Sequence, residues 1–133
     1  MTTLRDEIEN LLYRYARGFD EQNLDMLADC FTEDAEMVSA ALVRGRSAIR
    51  EALTASRQAR ADSGQQPRHI TTNIVIEPRG DDEVGVHCLF SLAVTSSEGV
   101  ALDVVGTYTD TVVRQDGRWL IARRHVQRDV IGA

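Results

Sequence analysis

The chain has 133 residues, 43% of them hydrophobic, with 15 Lys and Arg against 21 Asp and Glu, a formal net charge of −6 and a pI near 5.0. That is one domain's worth of chain, with enough apolar residues for a core that needs neither disulfide nor metal. The acidic balance argues against a nucleic-acid or anionic-membrane surface, either of which calls for a clustered basic face.

Leu4, Ile8, Leu11, Leu12, Tyr15, Ala16 and Phe19 recur at three- and four-residue intervals, the apolar stripe of a first helix. Arg5, Asp6, Glu9, Arg14 and Arg17 mostly take the opposite side. Asp20 breaks the pattern, because counting back in fours gives Ala16, Leu12 and Ile8. A carboxylate on an apolar row needs hydrogen bonds or a cation, or else it protonates. The helix alone leaves open a plain capping role toward Asn23 and Leu24.

A short second helix is expected from about Asn23 to Cys30, with Leu24, Leu27 and Phe31 inward, then a turn over Thr32 to Asp34 and an extended piece from Ala35 to Val43. Gly45 and Ser47 break that piece and cap a third helix. Its apolar side is Ile49, Leu53 and Ala55, its wet side Arg50, Glu51, Arg57 and Arg60. Ala61 to Gln66 reads as a loop.

From Arg68 the period becomes that of strands. Turns at Gly80-Asp81-Asp82, Ser96-Ser97-Glu98-Gly99 and Asp116-Gly117 separate four strands, roughly Arg68 to Glu77, Glu83 to Thr95, Val100 to Arg114 and Arg118 to Asp129. Hairpin links make them antiparallel. Three helices followed by strands predict a single α+β domain over residues 1–133, with the helices packed on one face of a strongly curved antiparallel sheet and a pocket open at one end.

Alternation puts His69, Thr71, Asn73 and Val75 on one face of the first long strand and Ile70, Thr72, Ile74 and Ile76 on the other. The isoleucine row is expected to be core or an oligomer contact, and the His69 face the functional one. A lone His at a strand start is more often a structural group. Beside a buried acid it becomes a base, because a carboxylate bonded to one imidazole nitrogen fixes the tautomer and leaves the other nitrogen to take a proton. By the same alternation Tyr108 faces the cavity in step with Leu102, Val104, Gly106 and Asp110. Tyr13 lies near the Asp20 side of the first helix, and His125 shares a strand face with Arg123. Arg118, Arg123, Arg124 and Arg128 divide between two faces and make no phosphate stripe.

Cys30 and Cys88 lack metal or redox spacing and read as buried free thiols in a reducing compartment. His69, His87 and His125 are too scattered for a ligand motif, so neither metal nor cofactor is expected. With a polar, acidic start and no long apolar run, a soluble cytoplasmic protein is expected.

The runs LLYRYARGFDEQNLDMLADCFTEDAEM, RGRSAIREAL, RHITTNIVIE and YTDTVVRQDGRWLIARR, in that order and spacing, resemble the SnoaL-like branch of the cone-shaped nuclear transport factor 2-like superfamily over nearly the whole chain. Within it the likeness is to the scytalone dehydratase and hexachlorocyclohexane dehydrochlorinase types. The resemblance implies a general-base dyad of Asp20 and His69, with Arg123 stabilising a leaving anion or a developing enolate. It places Phe19 and Val38 where scytalone dehydratase has pocket tyrosines, and Ala93 near its second histidine, so that enzyme's own substrate is not implied. Tyr15 matches the oxyanion tyrosine of ketosteroid isomerases, but their aspartate base is missing from Met37-Val38-Ser39. Tyr15 is then either a pocket hydroxyl or a core aromatic.

The first class of function implied is a cofactor-independent lyase or isomerase, of the dehydratase or cyclase type, acting on a small hydrophobic cyclic molecule. The second is a non-catalytic ligand-binding or assembly subunit, as in the small subunits of ring-hydroxylating dioxygenases. Contact between His69 and Asp20 discriminates them. A water-activating hydrolase would need an Asp-Arg-Asp set, for which Asp103, Asp110 and Arg123 are available. The resemblance also implies a homodimer or homotrimer through the outer sheet face, here the row of Ile70, Ile74 and Ile76. Arg60 to Gln66 is a candidate lid, and Val126 to Ala133 a candidate closure of the mouth or a crossing to a neighbouring subunit.

Overall fold

Thr3 starts the first helix, its hydroxyl accepting the Asp6 N–H at 3.1 Å while the Asp6 carboxylate accepts the Thr3 N–H at 3.0 Å. The computed structural model describes residues 1–130. Its elements are α1 (Leu4–Asp20), α2 (Leu24–Ala28), β1 (Phe31–Val38), β2 (Leu42–Arg44), α3 (Arg46–Asp62), β3 (Gln66–Pro78), β4 (Glu83–Ser96), β5 (Gly99–Gln115) and β6 (Arg118–Arg128). The expected closing segment Val126 to Ala133 lies partly outside the described residues.

The six strands form one curved sheet in the order β2-β1-β6-β5-β4-β3. Neighbours are antiparallel except β1 and β6, which run parallel. Ile8, Leu12, Phe19, Leu27 and Ile49 from the helices close on Phe31, Val86, Val112 and Ile121 from the sheet to make the core. Gly18 lets α2 approach the last turn of α1, since a Cβ there would stand 2.8 Å from the Leu27 backbone nitrogen. Among the described residues no helix is long and apolar enough to cross a membrane.

Three local expectations give way to tertiary pairing. Thr32 to Asp34 is strand rather than turn, because Phe31 is fully buried opposite Ile121 and the Ile121 N–H donates to the Cys30 carbonyl at 2.8 Å. The extended piece divides into β1 and β2, which pair with each other. Helix α3 continues through Ala61 and Asp62, so the expected lid shrinks to residues 63–65 and turns at Gly64 with φ 69°.

The isoleucine row also changes. Asn73 sits at φ 55° in a register shift between Thr72 and Val75, a β-bulge that reverses the faces of β3 half-way along. Before it His69 and Thr71 turn inward and Ile70 outward. Beyond it Ile74 and Ile76 pack on the core while Val75 is exposed. The apolar outer face is made instead by Ile70, Val75, Leu89, Val100, Leu102 and Val105. A further bulge in β5, between the partners of Leu92 and Ala93, turns Leu102 out of the row of Val104, Gly106 and Tyr108.

Candidate active site

Asp20 is the last residue of α1, and His69 lies near the start of β3. Asp20 Oδ2 accepts the His69 backbone N–H at 2.8 Å, and Asp20 Oδ1 lies 2.7 Å from His69 Nδ1. A carboxylate only accepts, so the proton between them belongs to Nδ1 and the lone pair of the neutral ring to Nε2. Both side chains are over nine-tenths buried, at 9% and 8% exposure. Phe19 and Tyr15 set their rings edge-on to the imidazole, with centroids 5.2 and 6.1 Å away.

The end of α1 that carries Asp20 is itself clamped. Arg57 of α3, only 4% exposed, donates from Nε to the Phe19 carbonyl at 3.0 Å and from Nη2 to the Asp20 carbonyl at 3.2 Å. Gln66 adds a bond to the Asp20 carbonyl at 2.9 Å. These groups satisfy carbonyls that a helix end leaves open. Burial lowers the Arg57 pKa, and the nearby Asp20 charge works against that fall.

His69 stands on the wall of a cavity of about 240 Å³. Tyr15 and Phe19 of α1, Leu53, Ser56 and Arg60 of α3, and Met37 and Ser39 at the end of β1 form one side. Phe90 and Leu92 of β4, Val104 and Tyr108 of β5, and Val126 and Arg128 of β6 form the other. Gly106 makes room for this wall, since a Cβ there would meet the Gln127 carbonyl at 2.2 Å and the Phe90 ring at 2.9 Å. Phe90 stacks on Tyr108 with centroids 4.3 Å apart.

Beneath the tyrosines lies a fully buried ion pair. Arg124 grips Asp110 with two parallel bonds, Nε to Oδ1 at 2.9 Å and Nη2 to Oδ2 at 2.8 Å. Its guanidinium carbon lies 3.8 Å from the Tyr108 ring centroid and 4.3 Å from that of Tyr15. Burial works against the Arg124 charge, but Asp110 and its hydrogen bonds outweigh it and raise the pKa. Burial also raises the pKa of Tyr15, against the pull of Arg124. Tyr108 is pushed well up by burial and next by Tyr15. Both phenols therefore keep their protons at neutral pH and remain donors.

Residues 1–125 match a family model described as a SnoaL-like domain. The chain belongs to this SnoaL-like family. Similar solved structures include Aln2 from a Streptomyces species, 28% identical with a TM-score of 0.87, covering 95% of this chain and 91% of that one. A Catenulispora acidiphila protein in complex with S-DNPA is 27% identical at TM-score 0.82, covering 95% and 93%. An NTF2-like protein with a cystatin-like fold from Novosphingobium aromaticivorans, at 23% identity, shares the fold with a TM-score of 0.84, covering 97% and 84%. No curated protein matches the chain significantly.

In this SnoaL-like domain Asp20, His69, Tyr15, Phe19 and Tyr108 come together, and four other expected residues do not. Arg123 is half exposed on the outer face and donates to Glu36 Oε1 at 2.7 Å. The bulge in β6, between the partners of Thr111 and Val112, leaves Arg124 as the inward arginine. His125 shares the outer face with Arg123, opposite Thr109. Val38 points away between Met37 and Ser39, which line the cavity in its place. Tyr13 is exposed and borders a separate open cleft on the far side of Asp20 and His69, with Arg68 and Thr71. The hydrolase set does not form, because no aspartate lines the cavity and Asp110 is committed to Arg124. Among the described residues no group of three or more His, Cys, Asp or Glu could hold a metal ion.

Sequence reasoning missed Arg57, which looked solvated because its neighbours on α3 are polar. It also missed Phe90, Arg60 and Arg128 on the cavity wall. Inward alternation with Leu92 could have found Phe90.

Proposed function

We propose that this SnoaL-like protein is a cofactor-independent lyase or isomerase, of the dehydratase or cyclase type, that acts on a small hydrophobic cyclic substrate. The observation that carries the reading is His69, tied through Nδ1 to Asp20 and set in the wall of a largely apolar cavity. A volume of about 240 Å³ suits a molecule of one or two fused rings. The small molecule bound to the Catenulispora acidiphila protein supports a ligand in the same kind of fold.

In the proposed reaction His69 Nε2 removes a proton from carbon next to a carbonyl. Asp20 keeps its negative charge and stabilises the imidazolium that forms. The protonated phenols of Tyr15 and Tyr108 donate toward the enolate oxygen. The enolate then either expels a β-hydroxyl, which takes the proton from the imidazolium and leaves as water, or, where a conjugated double bond extends it to a dienolate, takes that proton back from the imidazolium at the γ-carbon. An assembly subunit has no use for a buried His held by an acid in a cavity. Homo-oligomer formation is proposed through the outer face around Ile70, Leu89 and Leu102.

The test uses a β-hydroxy tetralone that aromatises to a fluorescent naphthol on losing water. Naphthol formation by the wild type, lost in His69→Ala, supports the lyase reading. Equal formation by both proteins removes it.

A further inference from the structure

We propose that the substrate of this cavity carries an anionic group, a carboxylate, which Arg128 and Arg60 receive while the ring system lies against His69. The inference rests on the proposed function and names the class of molecule on which it operates.

The charge around the cavity runs against that of the whole protein. The chain has a net charge of −6, yet the cavity wall holds two arginines and no Asp or Glu. Asp103 pairs with Arg60 and Asp20 sits behind His69, but the charged side chains that line the cavity itself are both arginines, so the charge a ligand meets on this wall is positive.

Three of the polar lining groups, Ser39, Arg60 and Arg128, stand at or just past the ends of their elements. On β6 Val126 and, at the strand end, the exposed Arg128 line the cavity, as do Met37 of β1 and Ser39 just past its end. On α3 the cavity-facing residues pass from Leu53 through Ser56 to Arg60 in the last turn. Ser39, Ser56, Arg60 and Arg128 thus share one cavity with His69 and the rings of Phe90, Tyr108, Tyr15 and Phe19.

Arg60 is held in place before any ligand arrives. Its Nη1 lies 3.0 Å from Gln65 Oε1 and 2.6 Å from Asp103 Oδ2, and its side chain is 19% exposed. Asp103 offsets one positive charge. Arg128 has no salt-bridge partner among the described residues, so its guanidinium is free to meet a ligand. A guanidinium fork in that position matches a carboxylate. A neutral hydrocarbon substrate would leave Arg128 without a function on this wall.

The experiment compares naphthylacetate with naphthylacetamide, equal in shape and different in charge, by isothermal titration to the wild type, His69→Ala and Arg128→Gln. The wild type and His69→Ala are expected to bind the acid at least about tenfold more tightly than the amide, and Arg128→Gln to lose most of that preference without losing the amide. Equal affinity for acid and amide, an unchanged preference in Arg128→Gln, or no binding of either compound overturns the proposal. Preference for the acid in a protein that forms no naphthol would keep the anion site and remove the lyase reading. Naphthol formation without acid preference would do the reverse.

Discussion

Both carboxylate oxygens of Asp20 are taken by one residue, Oδ1 by the His69 ring nitrogen at 2.7 Å and Oδ2 by the His69 backbone N–H at 2.8 Å. Two bonds fix the ring relative to its own backbone, so the end of α1 and the start of β3 act as one rigid support. The remaining nitrogen then carries the lone pair in a single tautomer, on a side chain that lines the cavity.

Asp20→Asn is expected to keep the fold and lose the chemistry. An amide cannot accept two hydrogen bonds with its two different ends, so either the backbone bond or the ring bond is lost. If the amide nitrogen faces Nδ1, the ring proton moves to Nε2 and blocks the base. Naphthol formation should fall by about 10²–10⁴. Nitrogen-15 NMR of labelled histidine should show the change of tautomer.

On the proposed function Arg57 is expected to act as a positioning residue. Arg57→Met removes the bonds to the carbonyls of Phe19 and Asp20. The expected result is faster hydrogen exchange at the His69 amide and a turnover lowered by about tenfold, with part of both effects restored in Arg57→Lys. An unchanged His69 amide would show that the clamp does not reach the dyad.

The Asp110–Arg124 pair is fully buried, so loss of one partner strands a charge. Asp110→Asn should destabilise the protein by about 3–5 kcal/mol in urea unfolding. The double replacement Asp110→Leu with Arg124→Met should recover much of that stability while altering the tyrosine rings that stack on Arg124.

Alkaline stability follows from the two free cysteines. Burial first of all raises the pKa of Cys30 and of Cys88 from 9.0 to about 11. A thiol with a raised folded-state pKa contributes fully below the unfolded value. As the pH climbs, the unfolded chain loses its proton first, so stability drains between pH 9 and about 11. Urea midpoints across that window should fall with pH, and the fall should be shallower in Cys30→Ala. The same burial should keep both thiols unreactive toward an aromatic disulfide reagent at pH 8 until the protein unfolds.

The long periodic segments were legible because one principle ruled each. The α1 stripe ran to Asp20 as spacing required, and the strand turns fell where Gly and Asp clustered. Asp20 and His69 were legible as a pair only through their order in the family pattern, since local sequence says nothing about two groups meeting across the fold. Three of the misplacements share one cause. Bulges at Asn73 and in β5 and β6 shift the two-residue period by one, which sends Val75, Leu102 and Arg123 outward. No local signal marks such a shift, because it is set by pairing with the next strand. Arg57 was hidden for a related reason, as its burial depends on α3 meeting the end of α1.

The central claim is that His69, held by Asp20, removes a carbon-bound proton. Deuterium uptake by β-tetralone in heavy water, followed by proton NMR, reads that step alone, without a leaving group and without a charge for Arg128 to recognise. Wild-type protein is expected to exchange the benzylic protons beside the carbonyl at least about a hundredfold faster than His69→Ala at equal concentration. Equal rates would contradict the account.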